Sequence, residues 1–125
     1  MNRDTLLQFA SSLPNAGCDC PFEEDFETTV FRHTDTGRWF GLLLTAPSSV
    51  FGEREEVLNL KCPPELSELL QANDKNVTAA YHMNKRHWIS VRYARSDAET
   101  VGKLVKLSYE LTEKRPKCGK NKNNL

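Results

Sequence analysis

The densest group of chemically active side chains in this sequence lies in one short segment, residues 81–88 (YHMNKRHW). The segment combines two cations, two imidazoles, one amide and two aromatic rings, and it contains no carboxylate. Cations in a turn can reach phosphate groups, and flat aromatic rings can stack on nucleobases. The segment therefore predicts contact with a nucleic acid through five residues: His82, Asn84, Lys85, Arg86 and Trp88.

Two arginines extend this predicted surface. Arg92 lies on the strand that follows the segment, and Arg38 lies in an earlier hairpin, residues 33–39 (HTDTGRW), which again combines a histidine, an arginine and a tryptophan. Two such hairpins could hold a duplex backbone between them. The same pattern is also typical of ordinary charged turns whose tryptophans belong to the core, and the sequence alone leaves both interpretations open.

The sequence contains no recognisable catalytic motif. His33, His82 and His87 have no neighbouring Ser, Cys or Asp in the arrangement of a catalytic nucleophile and its base. A glycine-rich phosphate loop and the HExxH motif of metal hydrolases are also absent. We therefore expect a protein that is not an enzyme, with no catalytic residues and no cofactor.

The four cysteines do not have the spacing of a metal site. Cys18 and Cys20 form a C-x-C pair rather than the C-x2-C pair of zinc fingers, and Cys62 and Cys118 lie far away in the sequence. Without a secretory signal the thiols are expected to be reduced. We predict no metal, and a metal or redox role for the C-x-C pair stays open as the alternative.

The charges balance overall but are distributed unevenly along the chain. There are 17 Lys and Arg residues and 17 Asp and Glu residues, yet residues 1–80 carry a net charge of −7 and residues 81–125 a net charge of +7. The acidic extreme is residues 19–27, and the basic extremes are residues 81–95 and 114–122. Such asymmetry is typical of a surface that binds a polyanion. It also fits a fold in which the two halves interleave and their charges cancel.

Hydrophobic periodicity predicts the elements that must position these side chains. Strands are indicated over four segments: residues 27–33, 38–45, 57–61 and 87–93. Helices are indicated after the cap Asn2, after Pro63-Pro64, and after a capping box that starts at Ser96, whereas residues 15–21 are expected to form a loop. Because neighbouring strands are joined by short turns, this order predicts an α+β fold. Its antiparallel β-sheet is flanked by the N- and C-terminal helices on one face.

Length and composition predict one domain in an aqueous compartment. The chain has 125 residues, of which 38% are hydrophobic. This suits a single core, which we place in residues 1–116, followed by a flexible Lys-rich tail over residues 117–125. No stretch approaches the roughly 20 apolar residues of a membrane span, and the N-terminus lacks the apolar block of a secretory signal. We expect a cytoplasmic protein without a membrane partner, and we favour a monomer.

Four segments of the chain resemble one family. They are residues 38–42 (RWFGL), 58–66 (LNLKCPPEL), 81–91 (YHMNKRHWISV) and 107–111 (LSYEL), and the HMNKRHW part is the most specific. On these segments the sequence is similar to the MmcQ/YjbR family of small bacterial proteins. The resemblance implies a CyaY-like (frataxin-like) fold and DNA binding through a double-wing arrangement, and it supplies no catalytic residues. Frataxin-like proteins that handle iron have an acidic first helix, whereas this one offers only Asp4.

The leading hypothesis is therefore non-specific binding of double-stranded DNA. The phosphate contacts would come from four cations: Arg38, Lys85, Arg86 and Arg92. The alternative is a module that binds a small ligand or a protein in a cleft between the sheet and the helices. That cleft would be lined by Tyr81, His82, Trp88 and Tyr109. The first hypothesis predicts an affinity that falls steeply with salt, and the second an affinity that hardly changes with salt.

Overall fold

The computed structural model describes residues 1–21 and 28–113 of the chain. The acidic residues 23–27 and the Lys-rich tail, residues 117–125, lie outside the described residues. Four helices occur in the described ranges: α1 (Arg3–Ser12), α2 (Ser48–Phe51), α3 (Pro64–Asn73) and α4 (Ala98–Thr112). Six strands accompany them: β1 (Ala16–Asp19), β2 (Thr29–His33), β3 (Trp39–Ala46), β4 (Glu55–Lys61), β5 (Val77–Ala79) and β6 (Trp88–Val91). None of these helices combines the length and the apolar composition that a bilayer span needs.

The six strands form one antiparallel sheet in the order β1-β2-β3-β4-β6-β5. In the centre of the sheet, Leu58 of β4 pairs with Val91 of β6, and Leu60 pairs with Ile89. The sequence predicts this α+β architecture with its antiparallel sheet, and the structure confirms it. The pairing of β4 with β6 rather than with β5 is the one crossover in the order.

One face of the sheet, which we call the helix-side face, carries the main hydrophobic core. Alternate strand residues such as Leu43, Leu58 and Ile89 point to this face. They pack against Leu6 of α1 and Val105 of α4, and all five side chains are fully buried. The two terminal helices therefore lie on the same side of the sheet, as the sequence predicts.

The opposite face, which we call the loop-side face, carries a smaller cluster. Its buried members are Val30, Leu42, Leu44, Ala46 and Val57. The cover comes from α2 and from the connection between β5 and β6, residues 80–87, which we call the basic loop. Trp39, Tyr81 and Met83 pack against the cluster from its margin. A long helix is not needed here, because the loop itself shields the apolar side chains.

Side-chain caps begin both terminal helices. The Asn2 side-chain oxygen accepts a hydrogen bond from the Thr5 amide at 2.8 Å, which confirms the predicted cap of α1. The cap of α4 is Asp97, whose carboxylate accepts a hydrogen bond from the Thr100 amide at 3.2 Å. The predicted cap, Ser96, instead donates its hydroxyl to a carbonyl of the preceding turn at 2.9 Å. The prediction was therefore wrong by one residue.

Three short elements appear where the sequence predicts none: β1, α2 and β5. Residues 15–21 were expected to form a loop, whereas Ala16–Asp19 pairs with β2. β1 and β5 are the two edges of the sheet. An edge strand needs a partner on one side only, so a short segment without a strong apolar pattern is sufficient.

Candidate functional site

Antiparallel pairing brings the two hairpins that the sequence singles out to the same end of the sheet. The β2–β3 hairpin turns over residues 34–38, and the basic loop leads into β6. Between them, β4 ends at Lys61, which pairs with Trp88, the first residue of β6. Trp39 begins β3 at the same end. The strands that carry the two tryptophans are two strand spacings apart, about 10 Å.

These strand ends border an open groove of about 400 Å³, which we call the strand-end groove. Six residues line it: Arg38, Trp39, Lys61, Trp88, Leu111 and Thr112. The last two belong to the final turn of α4, so the helix closes one side of the groove. The lining combines two indoles with two cations and contains no carboxylate.

The cations at this end of the sheet are not neutralised within the described part of the chain. Arg38, Lys61 and Arg86 form no ion pair with any carboxylate of residues 1–21 or 28–113. Arg86 is two residues from Trp88, which corresponds to at most about 7 Å of chain. Two cations thus line the groove, and a third, Arg86, lies in the adjoining basic loop.

Two carboxylates influence Tyr109, which lies in the last part of α4. Burial, followed by the negative charges of Glu113 and Asp35, raises the pKa of the Tyr109 phenol. Tyr109 is one helical turn before Thr112, which lines the groove. Glu113 follows α4 and Asp35 lies in the β2–β3 turn, and neither of them lines the groove.

A buried polar cluster fastens the basic loop to the loop-side face. Asn59 of β4 and Ser90 of β6 are fully buried and pair across the two strands. The Asn59 side-chain amide donates to the Tyr81 carbonyl oxygen at 2.8 Å, and the Tyr81 backbone amide donates to the Ser90 hydroxyl oxygen at 2.9 Å. The Ser90 hydroxyl donates in turn to the Asn59 side-chain oxygen. Because these groups satisfy one another, the start of the loop has one fixed position on the sheet.

Side chains inside the basic loop determine its shape. The Asn84 side-chain oxygen accepts hydrogen bonds from the amides two and three residues later, at 2.9 and 3.2 Å. The Lys85 ammonium donates to the Ala80 carbonyl oxygen at 2.7 Å. His82 is exposed at φ 64°, and its ring centroid lies 4.0 Å from that of Tyr81. Asn84 therefore holds the loop in shape, and Lys85 braces it while remaining exposed.

Arg92 does not belong to this surface. Its guanidinium pairs with Glu55 at 2.5 Å, lies 3.7 Å from Glu53, and sits 5.0 Å from the centroid of the Phe51 ring. Only 12% of its side chain is exposed. It follows the end of β6 that is opposite to the strand-end groove, where Arg95 pairs with the same two glutamates. We therefore exclude Arg92 from the candidate interface, because its charge is neutralised within the fold.

His33, which the sequence groups with the earlier hairpin, is a core residue. Its ring is 3% exposed and packs against the rings of Phe40 and Tyr109, at centroid distances of 5.2 and 4.6 Å. Its Nε2 lies 2.8 Å from the Thr112 hydroxyl oxygen. The same hydroxyl oxygen lies 2.8 Å from the Ser108 carbonyl oxygen. His33 therefore links β2 to the end of α4.

The cysteines of the described residues form no reactive or metal-binding cluster. Burial raises the pKa of the Cys62 thiol to about 11, so this thiol remains protonated at neutral pH. Cys18 and Cys20 are exposed, and Cys118 lies outside the described residues. Among residues 1–21 and 28–113, no group of three or more His, Cys, Asp and Glu side chains could hold a metal ion. The alternative of a metal site at the C-x-C pair gains no support from these neighbours.

The four residues that the alternative hypothesis places around one cleft are not brought together in the described part of the chain. Tyr81 packs against the cluster on the loop-side face, whereas Tyr109 belongs to the core on the helix-side face. The Tyr109 hydroxyl donates to the Pro14 carbonyl oxygen. Of the four residues expected to line that cleft, only Trp88 lines the strand-end groove.

Lys61 is a groove residue that the sequence analysis did not select. Period-two alternation places Val57, Asn59 and Lys61 on one face of β4. The position of Lys61 beside Trp88, however, depends on the pairing of β4 with β6, which passes over β5. The sequence therefore indicates on which face of β4 Lys61 lies. It does not indicate that β6, and with it Trp88, is the neighbouring strand.

Fold and groove together define a class of protein. It is a small α+β protein whose six-stranded antiparallel sheet is covered by helices on one face and presents a cationic, tryptophan-lined groove at one end of its strands.

Comparison with known proteins identifies the family. Residues 11–111 match the YjbR family, and the chain belongs to it. It is 32% identical over 118 residues to the protein YyaQ of Bacillus subtilis (strain 168), covering 90% of this chain and 99% of YyaQ. It is 30% identical over 91 residues to YjbR of Escherichia coli (strain K12), covering 73% of this chain and 69% of that protein. Both relatives are described as uncharacterized proteins, so the family does not by itself supply a function.

Solved structures share the fold. A crystal structure of a Pseudomonas syringae protein superposes with a TM-score of 0.82 at 34% identity, covering 90% of this chain and all of that one. A crystal structure of a Deinococcus radiodurans protein gives a TM-score of 0.67 at 32% identity, covering 86% of this chain and 75% of that one. The resemblance seen in the sequence is thereby confirmed.

Proposed function

We propose that the protein binds double-stranded DNA without sequence specificity, through the cations at the strand ends. The supporting observation is that Arg38 and Lys61 line a groove with Trp88 at one end of the sheet, and that this lining contains no carboxylate. The exposed Arg86 lies two residues before Trp88 in the basic loop. Cations bind the phosphate backbone and release its counterions, and such contacts position a protein without reading bases. This function involves no catalytic step and no cofactor, and it is compatible with the cytoplasmic location that the sequence predicts.

The β2–β3 hairpin and the basic loop act as the two wings of this interface. Each wing lies beside an end of the strand-end groove, and Lys61 lies between the strands that carry them. A separation of about 10 Å between those strands is similar to the width of the DNA major groove, about 12 Å. The wings can therefore reach phosphates on the two sides of one groove. The phosphate contacts come from Arg38, Lys61, Lys85 and Arg86, with His82 at the margin.

The test compares two double variants of equal charge. Lys61→Gln/Arg86→Gln removes two interface cations but keeps most of each side-chain stem, and Lys103→Gln/Lys106→Gln removes two exposed cations from α4. Binding of a short duplex is measured by fluorescence anisotropy at about 0.1 M salt. Each phosphate contact contributes about 0.9 to the slope of log K against log salt. Two lost contacts therefore remove about 1.8 log units of affinity at 0.1 M salt relative to 1 M, so we expect the interface variant to bind roughly 60-fold more weakly.

The α4 variant is the matched control, because Lys103 and Lys106 are exposed and lie at least five residues before Leu111, the first α4 residue that lines the groove. We expect it to bind the duplex within about twofold of the wild type at the same salt, since distant exposed charges are screened. Equal losses in both variants would show that only the net charge matters. In that case the strand-end groove would not be the interface.

A further inference from the structure

The strand-end groove has the composition of a site for one unpaired nucleotide. Resting on the proposed function, we infer that the groove receives a nucleotide that is not base-paired, with its base stacked on Trp88 and its phosphate between Arg38 and Lys61. The protein then prefers DNA with a single-stranded end, gap or bulge over a blunt duplex. Duplex binding alone would need the cations but not the indoles that line the groove.

The position of Trp88 supports this inference. Its neighbours on β6, Ile89 and Val91, are buried in the main core, whereas the Trp88 side chain is only partly buried and lines the groove. Its backbone is fixed on both sides, because its amide donates to the Asn84 carbonyl oxygen at 3.0 Å and its carbonyl accepts from the Ala80 amide at 3.2 Å. A partly exposed indole on a fixed backbone is the kind of surface on which an unstacked base packs.

The cations complete the recognition of a nucleotide. Lys61 pairs with Trp88 across the strands, and Arg38 precedes Trp39 on the far side of the groove. Both cations therefore lie on the β4 and β3 side of a base that stacks on the Trp88 indole, where they can bind its phosphate. The groove volume of about 400 Å³ lies near the lower end of the roughly 300–1,000 Å³ typical of small-ligand sites. This space is suited to one nucleotide rather than to a paired duplex.

The experiment uses the two tryptophans as the probe, because both tryptophans of the chain line the groove. The full chain is titrated with a blunt duplex and with the same duplex carrying a short single-stranded overhang. We expect the overhang to raise the affinity about fivefold or more, since stacking of one base contributes at least about 1 kcal/mol. We also expect it to quench the indole fluorescence more strongly than the blunt duplex does.

A variant separates stacking from charge. Trp88→Leu is expected to bring the ratio of overhang affinity to blunt-duplex affinity to about one, whereas Trp88→Phe should retain part of this preference. Equal affinity of the wild type for both DNAs, with equal quenching, would overturn the inference and leave the proposed function intact. Failure to bind either DNA would overturn both. The wild-type comparison decides the question even if a Trp88 variant does not fold.

Discussion

The sequence and the structure lead to different interpretations of the charge of Arg92. In the sequence it extends a run of cations that contains no acid. In the fold its guanidinium pairs with Glu55 and Glu53, which lie more than 35 residues earlier in the chain. Lys85 and Arg86 could be selected from their local sequence, because a loop between two strands exposes its charges. No local pattern could indicate that Arg92 is paired, since its partners come from a distant strand.

The structural role of Arg92 leads to a prediction. Arg92→Met keeps the side-chain stem over Phe51 but leaves Glu55, whose side chain is 15% exposed, without its main partner. We expect a loss of about 3 kcal/mol in the free energy of unfolding, because removing one member of a largely buried ion pair leaves the other charge buried without a partner. Urea denaturation measures this loss, and duplex affinity is measured in parallel.

Arg95→Met is the control for this prediction. Arg95 pairs with the same glutamates, but its side chain is 51% exposed. We expect it to lose less than about 1 kcal/mol, as is usual for exposed ion pairs. Neither variant should weaken DNA binding by more than about twofold, since unpaired charges outside the interface are screened. A stable Arg92→Met protein that binds DNA much more weakly would show that Arg92 belongs to the interface.

At the scale of the elements, the position of the basic loop depends on two buried polar side chains, Asn59 and Ser90. Removing the Asn59 side chain leaves the Tyr81 carbonyl and the Ser90 hydroxyl without their partners. We expect Asn59→Ala to destabilise the protein by about 1–3 kcal/mol, because unsatisfied buried polar groups carry a desolvation cost. Hydrogen exchange of the amides in residues 80–87 should become faster than in the wild type, while exchange in the middle of α4 stays slow.

Asn73→Ala provides the comparison for the Asn59 variant. The Asn73 side chain also donates to a backbone carbonyl, that of Leu69, but it is exposed at the end of α3. Its removal should have little effect on stability and none on exchange in residues 80–87. Unchanged exchange of these amides in Asn59→Ala would mean that the buried polar cluster does not hold the loop.

The elements themselves could be predicted where periodicity was strong. β3, β4 and the core of α4 follow from alternating or helical apolar patterns, because burial of one face requires those patterns. β1 and β5 could not be predicted, since strands of four and three residues at the sheet edges need little apolar character. The strand-end groove could be predicted only in part. Its tryptophans were visible in the sequence, and the place of Lys61 between them required the strand order.

For the whole molecule, a formal net charge of zero argues against strong binding to a polyanion unless the charges are separated in space. The fold separates them. At one end of the sheet, carboxylates of the acidic first half neutralise the basic second half, as the Glu53 and Glu55 pairs with Arg92 and Arg95 show. At the other end, the described residues leave the groove cations unpaired. Within the described residues, ion pairs between the acidic first half and the basic second half therefore occur beyond the Arg92 end of the sheet and not at the groove.

The salt dependence of duplex binding tests this account most directly. The full wild-type chain is titrated with a labelled blunt duplex at a series of salt concentrations. If Arg38, Lys61, Lys85 and Arg86 each engage one phosphate, log K should fall linearly with log salt at a slope of roughly −3.6, about −0.9 for each contact. A slope close to zero, or no binding even at low salt, would contradict the claim that the strand-end cations form a DNA interface.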